Sequence, residues 1–267
     1  MNFQLHPSPF ILGWMARYKV ILAYDGTDFQ GFQRQAKART VQSVVETTLG
    51  RLGWEGKAVL AAGRTDTGVH AQGQVIAFDL NWTHSTQALQ SAINAYLPPD
   101  VAVRSVYEVS SDFHPRFAAQ ARRYQYCLFC DEVRQPLKER YSWRVWPQVS
   151  SVLLNQLSKR LIGTHDFAAF GNPPRAGGST VRNITSAEWL EGGPMLLFEI
   201  IGNAFLYRMV RRLVFFQVEI AQGKVDQEEI DRIFSDWYTM PVRGIAPAHG
   251  LTLVEVIYPQ EIGLVSG

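Results

Sequence analysis

Residues Ala58-Val59-Leu60-Ala61-Ala62-Gly63-Arg64-Thr65-Asp66-Thr67-Gly68-Val69-His70-Ala71 lead from an apolar run into a polar loop bracketed by two glycines, and an apolar run returns at 75–80. Both runs have strand length, so the stretch reads as strand, loop, strand. Gly63 and Gly68 allow a tight turn, and between them a cation, Arg64, and a carboxylate, Asp66, are displayed together. A loop carried on two strands is held rigidly while staying open to a substrate, which makes Asp66 the leading candidate for catalysis. Taken alone, the same pattern also fits an aspartate that caps its own turn and pairs with Arg64.

Working outward, 18–24 reads as a strand closed by the turn signal Asp25-Gly26-Thr27. Thr40 is placed to cap a helix that buries Val41, Val44, Val45, Thr48, Leu49 and Leu52 and stops at Gly53. A second helix spans 85–96, buries Leu89, Ile93 and Leu97, and ends at Pro98-Pro99 before a strand at 101–109. The second half repeats the scheme. A strand at 124–129 precedes a helix at 151–162 stopped by Gly163, a hairpin turns at Glu191-Gly192-Gly193-Pro194, and a helix runs on from Ala204. A capped helix from Asp226 carries Ile230, Ile233, Phe234 and Trp237, and the last strand spans 251–258. The expectation is an α+β fold of two similar lobes, each a mainly antiparallel sheet with helices packed on one face and a cleft between the lobes near Phe113. Residues 16–112 form the first lobe and 113–260 the second, with an extension at 1–15 and a tail at 261–267. Met15 stands as an alternative start to Met1.

With 267 residues and 46% hydrophobic content, the chain can bury a substantial core, which excludes disorder. A formal charge of +2 does not by itself point to nucleic acid. Local charge does: Arg34, Lys37 and Arg39 lie together, Arg116, Arg122 and Arg123 fall in an acid-free stretch, and Arg208, Arg211 and Arg212 form a third cluster. Arginine's planar fork suits phosphate, and aromatic residues interleave with these clusters. Cys127 and Cys130 read as packing thiols, because three apart on a strand they face opposite ways and no second pair completes a zinc site. They fit a reducing cytoplasm. No basic opening and apolar core mark a signal peptide, and no run is long enough to span a membrane. His70, His114, His165 and His249 form no ligand-spaced cluster, so no metal is expected and they read as structural or RNA-facing. Asp28 and Asp166 read as caps.

The chain resembles the tRNA pseudouridine synthase A family in a series of ordered motifs. These are Tyr24-Asp25-Gly26-Thr27-Asp28-Phe29-Gln30-Gly31-Phe32-Gln33, Thr40-Val41-Gln42, the 63–71 loop, Phe113-His114-Pro115-Arg116-Phe117, and Ala121-Arg122-Arg123-Tyr124-Gln125-Tyr126. They continue through Gly163-Thr164-His165-Asp166-Phe167, residues 202–211, and Ala246-Pro247-Ala248-His249-Gly250-Leu251. The resemblance implies isomerisation of uridine at positions 38 to 40 in the anticodon stem-loop of tRNA, by a homodimer without cofactor or metal. It implies Asp66 as the catalytic aspartate, Tyr124 against the target base, and Arg211 paired with the aspartate. Arg64 then holds the base out of the helix and Leu251 is a wall of the pocket; the arginine clusters themselves place Arg122, Arg123 and Arg208 toward the RNA. The chain departs from the family pattern at Thr67, where alanine is expected, and at Phe215-Phe216, where a glycine is frequent.

The reaction breaks the bond from sugar C1' to uracil N1, turns the base and joins C5 to C1'. A carboxylate stabilises the positive charge that develops on the sugar, or forms an adduct with it. Burial alone favours the neutral acid, whereas a close arginine favours the carboxylate, the task that Arg211 fits. The Tyr124 ring can stack on uracil, and its phenol oxygen can take the C5 proton if a neighbouring cation favours ionisation. Attack by Asp66 on C1', addition to C6 and abstraction of a C2' proton are all compatible with these residues. Two other readings are a non-catalytic tRNA chaperone and a nucleoside glycosidase, the latter requiring a second carboxylate.

Overall fold

A computed structural model describes residues 15–173, 177–235 and 241–259. In its first half, β1 (Met15–Tyr24) pairs antiparallel with both β3 (His70–Asn81) and β4 (Val101–Val109). Alternate residues of β1, from Ala16 to Tyr24, are buried, as a strand with one covered face requires. The expected strand at 58–62 shortens to β2 (Leu60–Ala61), paired with β3. Helices α1 (Val41–Arg51) and α2 (Thr86–Tyr96) cover the buried face through Val41, Val45, Leu49, Leu89 and Ile93. Both begin where the sequence places them: Thr40 Oγ1 accepts from the Ser43 N–H at 3.3 Å and Ser85 Oγ from the Ala88 N–H at 3.2 Å. Met15, expected in the extension, instead opens β1 opposite Asn81.

The second half contains β5 (Ala121–Cys130), α3 (Pro136–Glu139), β6 (Trp143–Val145), α4 (Ser151–Lys159), β7 (Gly163–Asp166), β8 (Val181–Gly192) and β9 (Met195–Gly202). These are followed by α5 (Met209–Ala221), α6 (Glu229–Ile233) and β10 (Leu251–Ile257). Its core is built by Leu154 and Leu157 of α4 and Leu213 and Val214 of α5 against Tyr126, Phe198 and Ile200 of the sheet. The helix expected from Ala204 starts only at Met209, because Arg208 takes a left-handed backbone, φ 64°, which breaks helical continuity. Trp237, expected on the last helix, lies outside the described residues, as do 1–14 and the tail at 261–267.

The α+β class holds, and the two halves are fused rather than merely apposed. A ten-stranded sheet carries the main order β4-β1-β3-β10-β5-β9-β8-β7, with β2 added to β3 and β6 to β5. The last strand, β10, inserts between the halves: it runs parallel to β3, Thr252 opposite His70, and antiparallel to β5, Leu251 opposite Tyr126. Each half keeps its own apolar core, and Tyr124 packs against both. The seam therefore passes through Tyr124 on β5 and through β10, beside the end of the loop that carries Asp66. Cys127 and Cys130 are unpaired and half-buried, consistent with packing thiols.

Candidate active site

The Asp66 loop is clamped from below by the 24–33 segment. Phe32 donates its N–H to the Thr65 carbonyl at 3.1 Å and Gly68 donates to Phe29 at 3.3 Å. Gly31 has φ +86°, and a Cβ there would stand 2.9 Å from the Thr65 carbonyl oxygen; at Gly26 a Cβ would reach 2.1 Å from that of Val69. Only glycine permits both approaches, which explains the Asp-Gly-Thr and Gln-Gly-Phe spacing. Tyr24 Oη and Thr65 Oγ1 are hydrogen-bonded at 2.8 Å. The Gly26 N–H donates to His70 Nδ1 at 3.0 Å, so the ring proton sits on Nε2, which donates to the His249 carbonyl at 3.2 Å. Burial lowers the His70 pKa and keeps the ring neutral, a structural role as expected. Burial also pushes Asp25 up, but hydrogen bonds from Thr27, Tyr141 and Arg140 outweigh it and hold the carboxyl well below the usual range.

Asp66 opens into a cleft of about 720 Å³ that Arg64, Arg122, Tyr124, Arg208 and Leu251 also line. Arg211 Nη1 reaches Asp66 Oδ2 at 3.2 Å, with the two side chains only 12% and 20% exposed. The guanidinium is aimed by a second bond, Nε to the Ala246 carbonyl at 2.8 Å, while the Ala246 N–H donates back to the Arg211 carbonyl at 3.2 Å. This locks α5 to the segment leading into β10. Tyr124 meets Phe205 edge-on at 5.1 Å between centroids. Burial raises its pKa to about 12, against the opposing pull of Arg122. A cation does stand beside the phenol as the sequence reading required, but burial outweighs it, and the resting phenol is protonated.

The other arginines divide. Arg64 and Arg208 are exposed on the cleft with no hydrogen bond from their side chains to the described residues, and Arg208 lies over the Tyr207 ring at 4.7 Å. Arg122, expected to face phosphate, turns inward and donates to the carbonyls of Asn203, Ala62 and Arg116 at 2.8, 3.1 and 3.0 Å. Arg123 pairs with Glu255 on β10 at 2.6 Å. Both are engaged within the protein: Arg122 by carbonyls that follow β9, follow β2 and precede β5, and Arg123 by a carboxylate of the adjacent strand β10. Arg212 donates to the Phe170 carbonyl, while Arg34 and Arg39 pair with Glu46 and Asp100. Asp166 caps its turn by accepting from the Ala168 N–H at 2.9 Å, whereas the Asp28 side chain accepts no bond among the described residues. The Thr67 hydroxyl is exposed without a hydrogen bond. Phe215 stacks on Trp143 at 6.2 Å and Phe216 meets Phe170 at 5.7 Å, so the bulkier helix face is repacked. No cluster of three metal-ligating side chains occurs among the described residues. Sequence reasoning singled out neither Phe117 nor Tyr207, two exposed aromatics on the cleft, because solvent exposure leaves no mark in local periodicity.

Among the described residues lining the cleft, Asp66 is the only carboxylate. Hydrolysis by an acid and base pair requires two, so the cleft is unlike that of a glycosidase. The cleft thus holds one carboxylate, paired with an arginine, and the aromatic ring of Tyr124. Comparison with known proteins gives the family. The tRNA pseudouridine synthase profile matches residues 20–118 and 157–259. The tRNA pseudouridine synthase A of Geobacter sulfurreducens is 38% identical over 91% of this chain and 99% of its own, and that of Geobacillus kaustophilus 40% identical over 92% and 95%. The chain belongs to the tRNA pseudouridine synthase A family, isomerases that form pseudouridine in tRNA.

Proposed function

We propose that the protein isomerises uridine at positions 38 to 40 of the tRNA anticodon stem-loop, with Asp66 as the catalytic carboxylate. The observation that carries this reading is the Asp66–Arg211 pair at 3.2 Å, recessed in a cleft that Tyr124 and Leu251 also line. The target nucleotide is flipped out of the stem, Arg64 fills the space it leaves, and the base stacks on Tyr124. Asp66 acts on the sugar–base unit as the C1'–N1 bond breaks, Arg211 holds the carboxylate in place, and the uracil turns within the closed pocket until C5 faces C1'. After C5 joins C1', the Tyr124 phenolate takes the C5 proton; the phenol must first release its own proton to solvent, which burial makes costly. The proton lost from C5 is balanced by one gained at the freed N1, so the product is an isomer of uridine, no electron acceptor is needed and the reaction requires no cofactor.

Arg208 supplies a phosphate contact, with Arg116 also on the exposed rim of the cleft. The protein works in the cytoplasm as a homodimer; no helix among the described residues is long and apolar enough to cross a membrane. Carbodiimide mapping of pseudouridine in tRNA, before and after incubation with the protein, tests the reading. Modification at 38 to 40 by the native protein and none by Asp66→Asn is the expected result, and modification elsewhere, or by both proteins equally, overturns it.

A further inference from the structure

Two large aromatic side chains on the cleft are left in water. Phe117 is 78% exposed and Tyr207 51% exposed, and both line the same cavity as Asp66. Neither contributes to an apolar core, and each is backed on one side by a flat cationic or heteroaromatic group. The His114 ring lies 4.3 Å from that of Phe117, tilted by 37°. The Arg208 guanidinium covers Tyr207 at 4.7 Å.

Both are held by rigid backbone rather than loose loops. The Phe117 and Ala118 N–H groups donate to the His114 carbonyl at 3.1 and 3.0 Å, and the Arg116 N–H donates to His114 Nδ1 at 3.2 Å, which fixes the backing ring. Tyr207 donates its N–H to the Asn172 carbonyl at 3.1 Å, and its neighbour Arg208 occupies a left-handed conformation that non-glycine residues adopt at a cost. Arg122 ties the two segments together, because its guanidinium donates both to the carbonyl of Arg116 and to that of Asn203. A flat ring that is exposed, backed and rigid offers one free face, and a nucleic-acid base has a matching π-face whatever its sequence.

We propose that Phe117 and Tyr207 are a pair of stacking platforms that hold the bases flanking the target uridine once it is turned out of the stem. This rests on the reading of the cleft as the RNA site. The clamp gives the enzyme a grip that does not depend on base identity and that keeps the flanking nucleotides apart while the target is turned outward. Its natural substrate class is therefore an RNA whose neighbours of the target can unstack, at a loop or at the end of a stem, and not the interior of a continuous duplex.

The test uses the full chain and an anticodon stem-loop RNA with 2-aminopurine beside the target uridine. With native protein, binding should quench the probe and the RNA should be converted; absence of conversion would count against the proposed function itself. In Phe117→Ala and Tyr207→Ala, affinity should fall on the order of ten-fold and quenching should diminish. Phe117→Trp should restore both signals, and Phe117→Leu, equally apolar but without a flat face, should not. Native affinity and quenching in both alanine variants overturns the clamp, as does full rescue by leucine. Loss of self-association with unchanged RNA binding would make the patch a contact between two copies and would overturn it too.

Discussion

Removing only the Tyr124 oxygen separates its two proposed roles. Burial holds the phenol pKa at about 12, so at pH 7.5 only about 3 in 100,000 molecules carry the phenolate, a penalty of about 6 kcal/mol at 1.36 kcal/mol per unit. If the phenolate takes the C5 proton, that step accelerates about ten-fold per pH unit between pH 7 and 9, because the protonated form dominates until the pH nears 12. Tyr124→Phe keeps the ring and its edge-on contact with Phe205, so base stacking and tRNA affinity should hold. The variant should cleave the C1'–N1 bond and form the C5–C1' bond, then stall with hydrogen still on C5. Tyr124→Leu should suppress the earlier bond cleavage, because the freed uracil is no longer held within reach. The assay is tritium release from tRNA labelled at uridine C5, beside a count of broken glycosidic bonds across that pH range. A flat pH profile for tritium release, or near-native release by the Phe variant, refutes the phenolate as base.

Asp66→Asn should fold and bind tRNA but form no detectable pseudouridine; turnover near the native rate by site mapping removes Asp66 from the mechanism. Arg122→Ala strips three carbonyls of a partly buried cation and should lower stability by about 1–3 kcal/mol in urea unfolding. A loss below about 0.5 kcal/mol together with weaker RNA binding would return Arg122 to the phosphate-facing set. Arg208→Ala should flatten the salt dependence of tRNA binding by roughly one unit of slope, and an unchanged slope shows that it makes no phosphate contact. His70 has its folded pKa lowered, so its contribution to stability is full above the unfolded value of about 6.5 and is lost as pH falls. Melting of His70→Gln between pH 7 and 5 should therefore begin lower and fall less steeply than native; parallel curves rule out the role.

Much of the local architecture was legible because it rests on short-range chemistry. The cap at Thr40 is read from its place just ahead of the apolar helical face, and the start of α2 from the spacing of Leu89, Ile93 and Leu97. The Asp66 loop declared itself through its bracketing glycines, of which Gly68 takes φ +76° and Gly63 does not turn left-handed; that Gly26 and Gly31 pass within contact distance of the loop backbone came only with the structure. The onset of α5 was misplaced by five residues, since nothing in Ala204-Phe205-Leu206-Tyr207 announces that Arg208 will turn left-handed.

Tertiary structure alone decided the rest. Asp66 and Arg211 are 145 positions apart, and the sequence proposed their pairing only through family resemblance. Nothing local in 251–257 distinguishes an edge strand from one inserted between two halves, yet that insertion fuses the sheet and places Leu251 in the cleft. Arg122 and Arg123 looked like phosphate ligands because arginine chemistry is the same wherever its partner lies; carbonyls 60 and 81 positions away and a carboxylate 132 away claimed them. Sequence specified which residues carry charge, turn and apolar face, because those properties belong to single side chains and their near neighbours. Which of those charges meet substrate and which meet protein was set by non-local strand pairing, whose register depends on the whole sheet at once.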